Sequence, residues 1–332
     1  MQTNVKLKLI DTSPRSHRRT VFYHLRRIAI VCLTPIVLGM NVWRSMRCLY
    51  TVVEPGHGMT YNFVIVGSAR LFGYRIVLHH HAASYTKFYD KRFAMLCATA
   101  GKQAVHIALS EQMASDLTAL YNVGRAVVVH NAAHIQDPGE HPITPRTNLT
   151  IGFLSNLSLE KGVDTVLESF AAILADGWTA RLILAGPIVD DDARVLIKEA
   201  RAKYPDAIVE LGAVSGSAKE AFFNSVDLFL FPSRYRLEAQ PLVVLEALSH
   251  GIATLVTRQG YSGEIVEPLG TATDLSEFID FTRQFVRAWS GKSDFATSQR
   301  KAARGRFLEL AERSRKQNDQ LLALFIGGKV MA

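Results

Sequence analysis

The chain has 332 residues, 48% of them apolar, and a formal net charge of +8. That is enough for two domains of about 150 residues each and excludes a single small binding module. Three cysteines (Cys32, Cys48, Cys97) show no metal-ligand spacing and cannot all pair, so no disulfide framework is implied and a reducing, cytoplasmic compartment is the simplest reading.

The charge is uneven. Residues 1–150 carry 17 Lys and Arg against 7 Asp and Glu, a balance of +10, whereas residues 151–332 carry 21 against 23, a balance of −2. Most of the excess lies before residue 50, in Lys6, Lys8, Arg15, Arg18, Arg19, Arg26, Arg27, Arg44 and Arg47. Such a surface favours anionic lipid headgroups or a polyanionic acceptor. Nucleic acid would suit the charge, but no recognition motif accompanies it.

In chain order, Val5–Ile10 reads as a strand. A helical stretch near 18–47 contains the 13-residue apolar run Ile28–Met40. The run is too short to span a bilayer, which takes about 20 residues, and it lacks the layout of a signal peptide. It is read as a buried helix of the first domain, with a peripheral element on the cytoplasmic membrane face as the alternative. Strands follow at Leu49–Val53, Arg75–His79, Val105–Leu109 and Ala126–Val129, with helices near 59–72, 88–100 and 111–121 between them. This alternation predicts a parallel sheet covered by helices. The segment Gln136–Pro145 has three prolines and little to bury, and reads as a linker.

The rhythm then repeats: strand Thr150–Leu154, helix Glu160–Leu174, strand Arg181–Ala185, helix Asp190–Lys203, strand Ala207–Leu211 and a short helix near Lys219. The acids Asp190, Asp191 and Asp192 fall at a helix start, where they meet the helix dipole favourably. A long charged helix over 298–324 closes the chain. The expected domains are 1–147 and 148–297, followed by a C-terminal helix in 298–332. Doubly wound domains of this kind bind ligands at the carboxyl ends of their strands.

The stretch Phe229 to Val256 holds the second domain's chemistry. An apolar strand ends at Pro232, a polar loop carries Glu238, a helix opens at Pro241 as its first residue, passes Glu246 and stops at Gly251, and a second strand follows. The free N–H groups of Leu242 and Val243 and the positive end of the dipole suit a phosphate. Glu238 and Glu246 can border one pocket, because helical side chains lean toward the N-terminus. A capped helix with one solvated Glu is the alternative on spacing alone.

The order Glu238, seven residues, Glu246, Ala, a short helix end, Gly251 and a strand resembles the donor-site signature of family 4 retaining glycosyltransferases. These have the GT-B fold, two Rossmann-like doubly wound domains facing a cleft. The resemblance implies that Glu238 lies near the donor hexose and that Glu246 holds the ribose of the nucleotide. Ile151 to Gly162 resembles the family's first strand and loop of the nucleotide domain, where a basic pair grips the pyrophosphate. Lys161 matches the lysine of that pair, and Asn156 stands where an Arg is often found. Gln240-Pro241 replaces the more usual Phe-Gly.

The family also commonly has a His at the strand end reached by His79-His80-His81. Alternation puts His79 and His81 on one side and His80 on the other; His81 is the candidate, His80 the second choice, and a structural or surface role is the alternative. Three consecutive histidines are poorly placed to ligate one metal. The usual opening, a strand, a Gly-rich loop and a helix, is not seen here, so the N-terminal domain is expected to be reduced by about one βαβ unit.

The resemblance implies a metal-independent hexosyltransferase-like enzyme. Residues 1–147 would form its acceptor-side domain and 148–297 its nucleotide-sugar domain, with His81, Glu238 and Lys161 at the catalytic centre. Asn156, Lys161, Gly162, Glu238, Leu242, Val243 and Glu246 would bind the donor, and no cofactor is implied. Two rivals stay open: a non-catalytic GT-B subunit of a polysaccharide assembly complex, and a nucleotide-sugar epimerase, which would need acid/base carboxylates in its cleft.

Overall fold

The computed structural model describes residues 8–12, 21–45, 47–139, 148–291 and 293–326. The chain divides into two compact units, Met1–Val129 with Arg315–Ala332, and His130–Ser314. The proposed linker lies mostly outside the described residues, and the division falls before it, at Val129/His130.

The first unit contains α1 (Val21–Gly39), β1 (Cys48–Val53), α2 (Met59–Leu71), β2 (Arg75–His80), α3 (Ala83–Thr86), α4 (Lys91–Ala100), β3 (Val105–Ala108), α5 (Glu111–Tyr121) and β4 (Ala126–Val128). Among the described residues its four strands are parallel and lie in the order β1-β2-β3-β4. The helix starts are set locally. Asp90 accepts hydrogen bonds from the N–H groups of Arg92 and Phe93 at the head of α4, and Ser110 accepts from Met113 N at the head of α5. Asn122, at φ 48°, ends α5 in the left-handed conformation that glycine or asparagine takes most readily.

Two expectations need correction. The part of the proposed strand Val5–Ile10 that is described, Lys8–Ile10, forms no strand, and Leu9 is exposed; among the described residues the sheet begins at β1, and the rest of the proposed strand lies outside them. The apolar run is not a buried helix either. It lies in α1, whose 19 residues are by length and composition enough to cross a membrane, yet only Tyr23, Arg27, Val31, Thr34 and Leu38 are buried. These five recur every three or four residues, so they form one stripe, which packs on α2.

The second unit contains β5 (Leu149–Leu154), α6 (Val163–Ala175), β6 (Ala180–Ala185), α7 (Asp191–Lys203), β7 (Ile208–Gly212), α8 (Gly216–Ser225), β8 (Leu228–Phe231), α9 (Leu242–Ser249), β9 (Ala253–Thr257), α10 (Ser262–Val266), β10 (Ala272–Thr273) and α11 (Phe278–Gly291). It also holds α12 (Ser293–Ile326) as far as Ser314. From Arg315 onward α12 groups with the first unit, where Leu321 packs against Val77, Val105, Ile107 and Val129.

Six parallel strands lie in the order β10-β9-β8-β5-β6-β7. The chain winds outward from β5 to β7, returns to the middle at β8 and winds outward the other way. The central strands are covered on both faces and are mainly apolar: Phe153, Leu182, Leu184, Phe229, Leu230 and Phe231 are all buried. Buried Asp227 ties the sheet to α12. It accepts from Thr150 N (2.9 Å) and pairs with Arg300 (2.5 Å), which removes the cost of an isolated buried charge.

Candidate functional site

The strand order reverses between β5 and β8, and a crevice outside the carboxyl ends of those two strands is where a doubly wound sheet takes its ligand. Two loops leave these ends, 155–162 after β5 and 232–241 after β8, and they are locked together. Gly162 sits at φ +85°, and a Cβ there would lie 2.2 Å from the carbonyl oxygen of Pro232. Arg234 donates from its backbone N–H to Glu160 O (2.9 Å) and pairs through its guanidinium with Asp164 (2.8 Å). Behind them, a Cβ at Gly186 (φ +117°) would lie 1.8 Å from Ser155 O. Asp190 caps α7 through Ala193 N and also accepts from Leu159 N (2.9 Å), so the acid run at that helix start also holds the β5 loop.

Lys161 and Glu238, 77 residues apart in sequence, meet between these loops: Nζ lies 2.6 Å from Oε2. Ser233 Oγ donates to the same carboxylate oxygen at 3.0 Å. The ammonium also stands 4.5 Å from the ring centroid of Tyr235 and 6.0 Å from that of Phe231. Glu238 is only 8% exposed, so a charge there needs these donors. The loop beneath is held by Thr257 Oγ1 donating to Ser233 O and by Gln259 Nε2 donating to Tyr235 O (3.2 Å).

Helix α9 begins one residue later than expected. Pro241 is its N-cap, in extended conformation (φ −68°, ψ 120°), and supplies no side-chain cap. The first backbone N–H groups, Leu242 and Val243, thus keep the donor capacity that a Ser or Asp cap would have consumed. Gln240 has a role that its sequence position does not reveal. Its Oε1 accepts from Asn131 N (2.6 Å), its backbone oxygen from Asn131 Nδ2 (3.3 Å), and its Nε2 lies 2.9 Å from His130 Nδ1.

The two glutamates have different partners. Glu246 pairs with Lys219 of α8 at 2.5 Å, and the next residue of α8, Glu220, lies 2.8 Å from Nε2 of His250 at the end of α9. Asn156 is exposed in the β5 loop. Sequence reasoning missed Ser233, Tyr235 and the pairing of Lys219, and it named Gln240 only as a departure from Phe-Gly. A polar loop after a strand was the only signal for the first two, and none pointed to Lys219.

In the first unit the histidines divide as alternation requires. His79 and His81 face one another, ring centroids 4.1 Å apart, and His81 is exposed at the end of β2. His80 points the other way into the core, stacked on His106 at 5.2 Å, with Nε2 3.1 Å from His106 Nδ1 and its own Nδ1 3.2 Å from the Tyr85 hydroxyl. Tyr85 donates in turn to Val53 O. Burial pushes His106 down to about 4; burial and then the neighbouring histidines hold His80 well below the ordinary value. His80 is a neutral core residue, which leaves His81 as the exposed member of the triplet.

Residues 148–287 match the family described as Glycosyl transferases group 1. A glycogen synthase of Rhodopseudomonas palustris (strain BisB18) is 32% identical over 112 residues, 34% of this chain and 22% of that protein. The chain spans between 22% and 28% of the length of the curated relatives it matches. Among solved structures, HepE of Anabaena in complex with UDP superposes with a TM-score of 0.63 at 15% identity, covering 88% of this chain and 82% of that one. Sucrose-phosphate synthase of Thermosynechococcus elongatus does so with a TM-score of 0.68 at 15% identity, covering 96% and 83%. The fold is therefore GT-B, built of two Rossmann-like units, and the interlocked loops at the switch point lie inside the segment that matches the group 1 glycosyl transferases.

Proposed function

We propose that this chain is a family 4 retaining glycosyltransferase, moving a sugar from a nucleotide-sugar donor to a glycan or lipid-linked acceptor in polysaccharide or glycoconjugate synthesis. The observation that carries this reading is the Lys161–Glu238 pair, set between the switch-point loops on the segment that leads into the uncapped start of α9. A cation and free N–H groups on adjacent loops suit a diphosphate, and they can stabilise its charge as it departs without a metal ion.

In this reading Lys161 and the N–H groups of Leu242 and Val243 hold the diphosphate. Gly162 keeps the β5 loop tight enough to approach it, and Asn156 adds a hydrogen bond. Glu246 exchanges Lys219 for ribose hydroxyls or shares them with it. Glu238 faces the donor sugar, and His81 is assigned to the sugar because the family commonly has a His at the corresponding strand end.

A thermal-shift screen over nucleoside diphosphates and nucleotide-sugars tests the donor site, since a ligand at about 100 times its dissociation constant stabilises by about 2.7 kcal/mol. Incubation with the stabilising donor alone then separates the rivals. An epimerase changes the sugar, a transferase at most hydrolyses it, and a scaffold does neither. Stabilisation by no nucleotide, together with no transfer to any acceptor extract, would leave the non-catalytic subunit as the reading.

A further inference from the structure

Helix α1 is apolar on its outer side as well as on its inner one. Its buried stripe is Tyr23, Arg27, Val31, Thr34 and Leu38. Arg27 forms an ion pair with Glu54, donates to the Tyr23 hydroxyl (3.1 Å) and lies 4.2 Å from the ring centroid of Tyr61. Thr34 returns its hydroxyl to Ile30 O (2.8 Å), and Tyr74 donates to Leu38 O (2.9 Å). The outward stripe is apolar throughout: Phe22, Leu25, Ala29, Leu33, Ile36 and Met40, spaced three or four residues apart and all exposed. It ends at Trp43, 92% exposed, beside exposed Arg44. A helix that offers an apolar stripe of this length has an outer face unsuited to water.

We propose that this face of α1 lies in the interfacial region of an anionic lipid bilayer. Two observations select that occupant. Residues 1–50 carry nine Lys and Arg against one acid, Asp11, so an anionic surface brings the opposite charge, whereas a second copy would bring the same one. Trp43 and Arg44 together suit the boundary between acyl chains and headgroups, where an aromatic ring and a long cation can each keep a polar end in water.

The inward stripe also decides how the helix lies. To cross the bilayer, α1 would have to leave α2 and carry Arg27 away from Glu54 into hydrocarbon, which is costly for an arginine. Lying flat costs neither contact and buries the outer stripe. Arg27 thus fixes the helix to its own unit, and the apolar residues face the membrane.

The test uses the full chain and vesicles of phosphatidylcholine with about one third phosphatidylglycerol. Co-sedimentation should be strong in dilute buffer, weaker with phosphatidylcholine alone and weaker with added salt, and alkaline carbonate should release the protein. Leu25→Glu with Leu33→Glu should lower vesicle affinity at least about tenfold with an unchanged melting temperature, because both side chains are exposed. Absence of binding to the anionic vesicles would overturn the proposal, as would undiminished binding by the double variant or resistance to carbonate extraction. If the parent instead dimerises without lipid, ignores vesicles and becomes monomeric in the double variant, the face belongs to a second copy.

Discussion

The two parallel sheets end in opposite electrostatic states. At the ends of β5 and β8 the loops bring together a lysine, a carboxylate and uncapped N–H groups, held by Gly162, Arg234 and Gln240. Beside the end of β2, His80 and His106 are stacked, buried and neutral. The first arrangement keeps full charges in place by pairing them, and in the proposed reading an incoming anion exchanges with the partner. The second removes charge, so it can answer to protons but offers nothing to an anion. The same α/β architecture can therefore carry either a ligand-responsive or a proton-responsive strand end, and what decides is the side chains on the closing loops.

The largest effect should come from breaking the loop packing of the second unit. Gly186→Ala places a Cβ against Ser155 O at a backbone angle that L-residues avoid, and should destabilise by about 3 kcal/mol or more. Chemical denaturation measures this directly. A cost below about 0.5 kcal/mol would show that the β5 loop is not held as tightly as its geometry requires.

The next effect tests the neutral side of the comparison. His106 titrates near 4 when folded and near 6.5 when unfolded. Above pH 6.5 the ring is neutral in both states and the fold is fully stable with respect to it. As pH falls from 6.5 toward 4 the unfolded chain takes up a proton that the folded one refuses, so stability declines by about 1.4 kcal/mol per pH unit, about 3 kcal/mol in all. Urea midpoints of the parent and His106→Gln across that range should converge as the pH drops. Parallel curves would mean that the ring takes up its proton as readily in the fold as in the unfolded chain.

On the charged side, Lys161→Ala should cost nucleoside diphosphate about 1.5–3 kcal/mol of affinity, the worth of hydrogen bonds to a charged group, and should leave the nucleoside alone almost unaffected. Titration calorimetry with the two ligands reads the difference. Equal losses would point to a misfolded loop, since Glu238 would then lie buried without its cation.

Most of the strand and helix rhythm was legible because many of the apolar runs are bounded by Gly, Pro, Asp or Ser, and these residues cap or turn the backbone by local rules. Lys161, Glu238 and Glu246 were legible as a pattern, but their partners were not. Lys161 with Glu238, Glu246 with Lys219 and Gln240 with Asn131 pair across 77, 27 and 109 residues, and such pairings are made by strand order, which local periodicity does not contain. The same limit hid the orientation of α1. Its apolar run was visible, but the inner stripe is chosen by Arg27 meeting Glu54, 27 residues on, so the run reads as core until that pair is seen.

The smallest effect separates Glu238 from Lys161 within the pair. If the carboxylate acted only on the sugar, diphosphate binding would ignore Glu238→Gln. The 2.6 Å contact implies otherwise, because a diphosphate must compete with Glu238 for the same ammonium and also meets its negative charge. Glutamine keeps an acceptor for Ser233 and Lys161 while removing that charge, so diphosphate should bind about threefold to tenfold more tightly in the variant. Transfer should fall by about tenfold or more, because a carboxylate near the sugar stabilises positive charge that develops only in the transition state. Tighter diphosphate with slower transfer is the signature of a pair that exchanges partners during turnover. Weaker diphosphate binding with a lowered melting temperature would instead make Glu238 the group that holds Lys161 in position, and the charged strand end would then be as fixed as the neutral one.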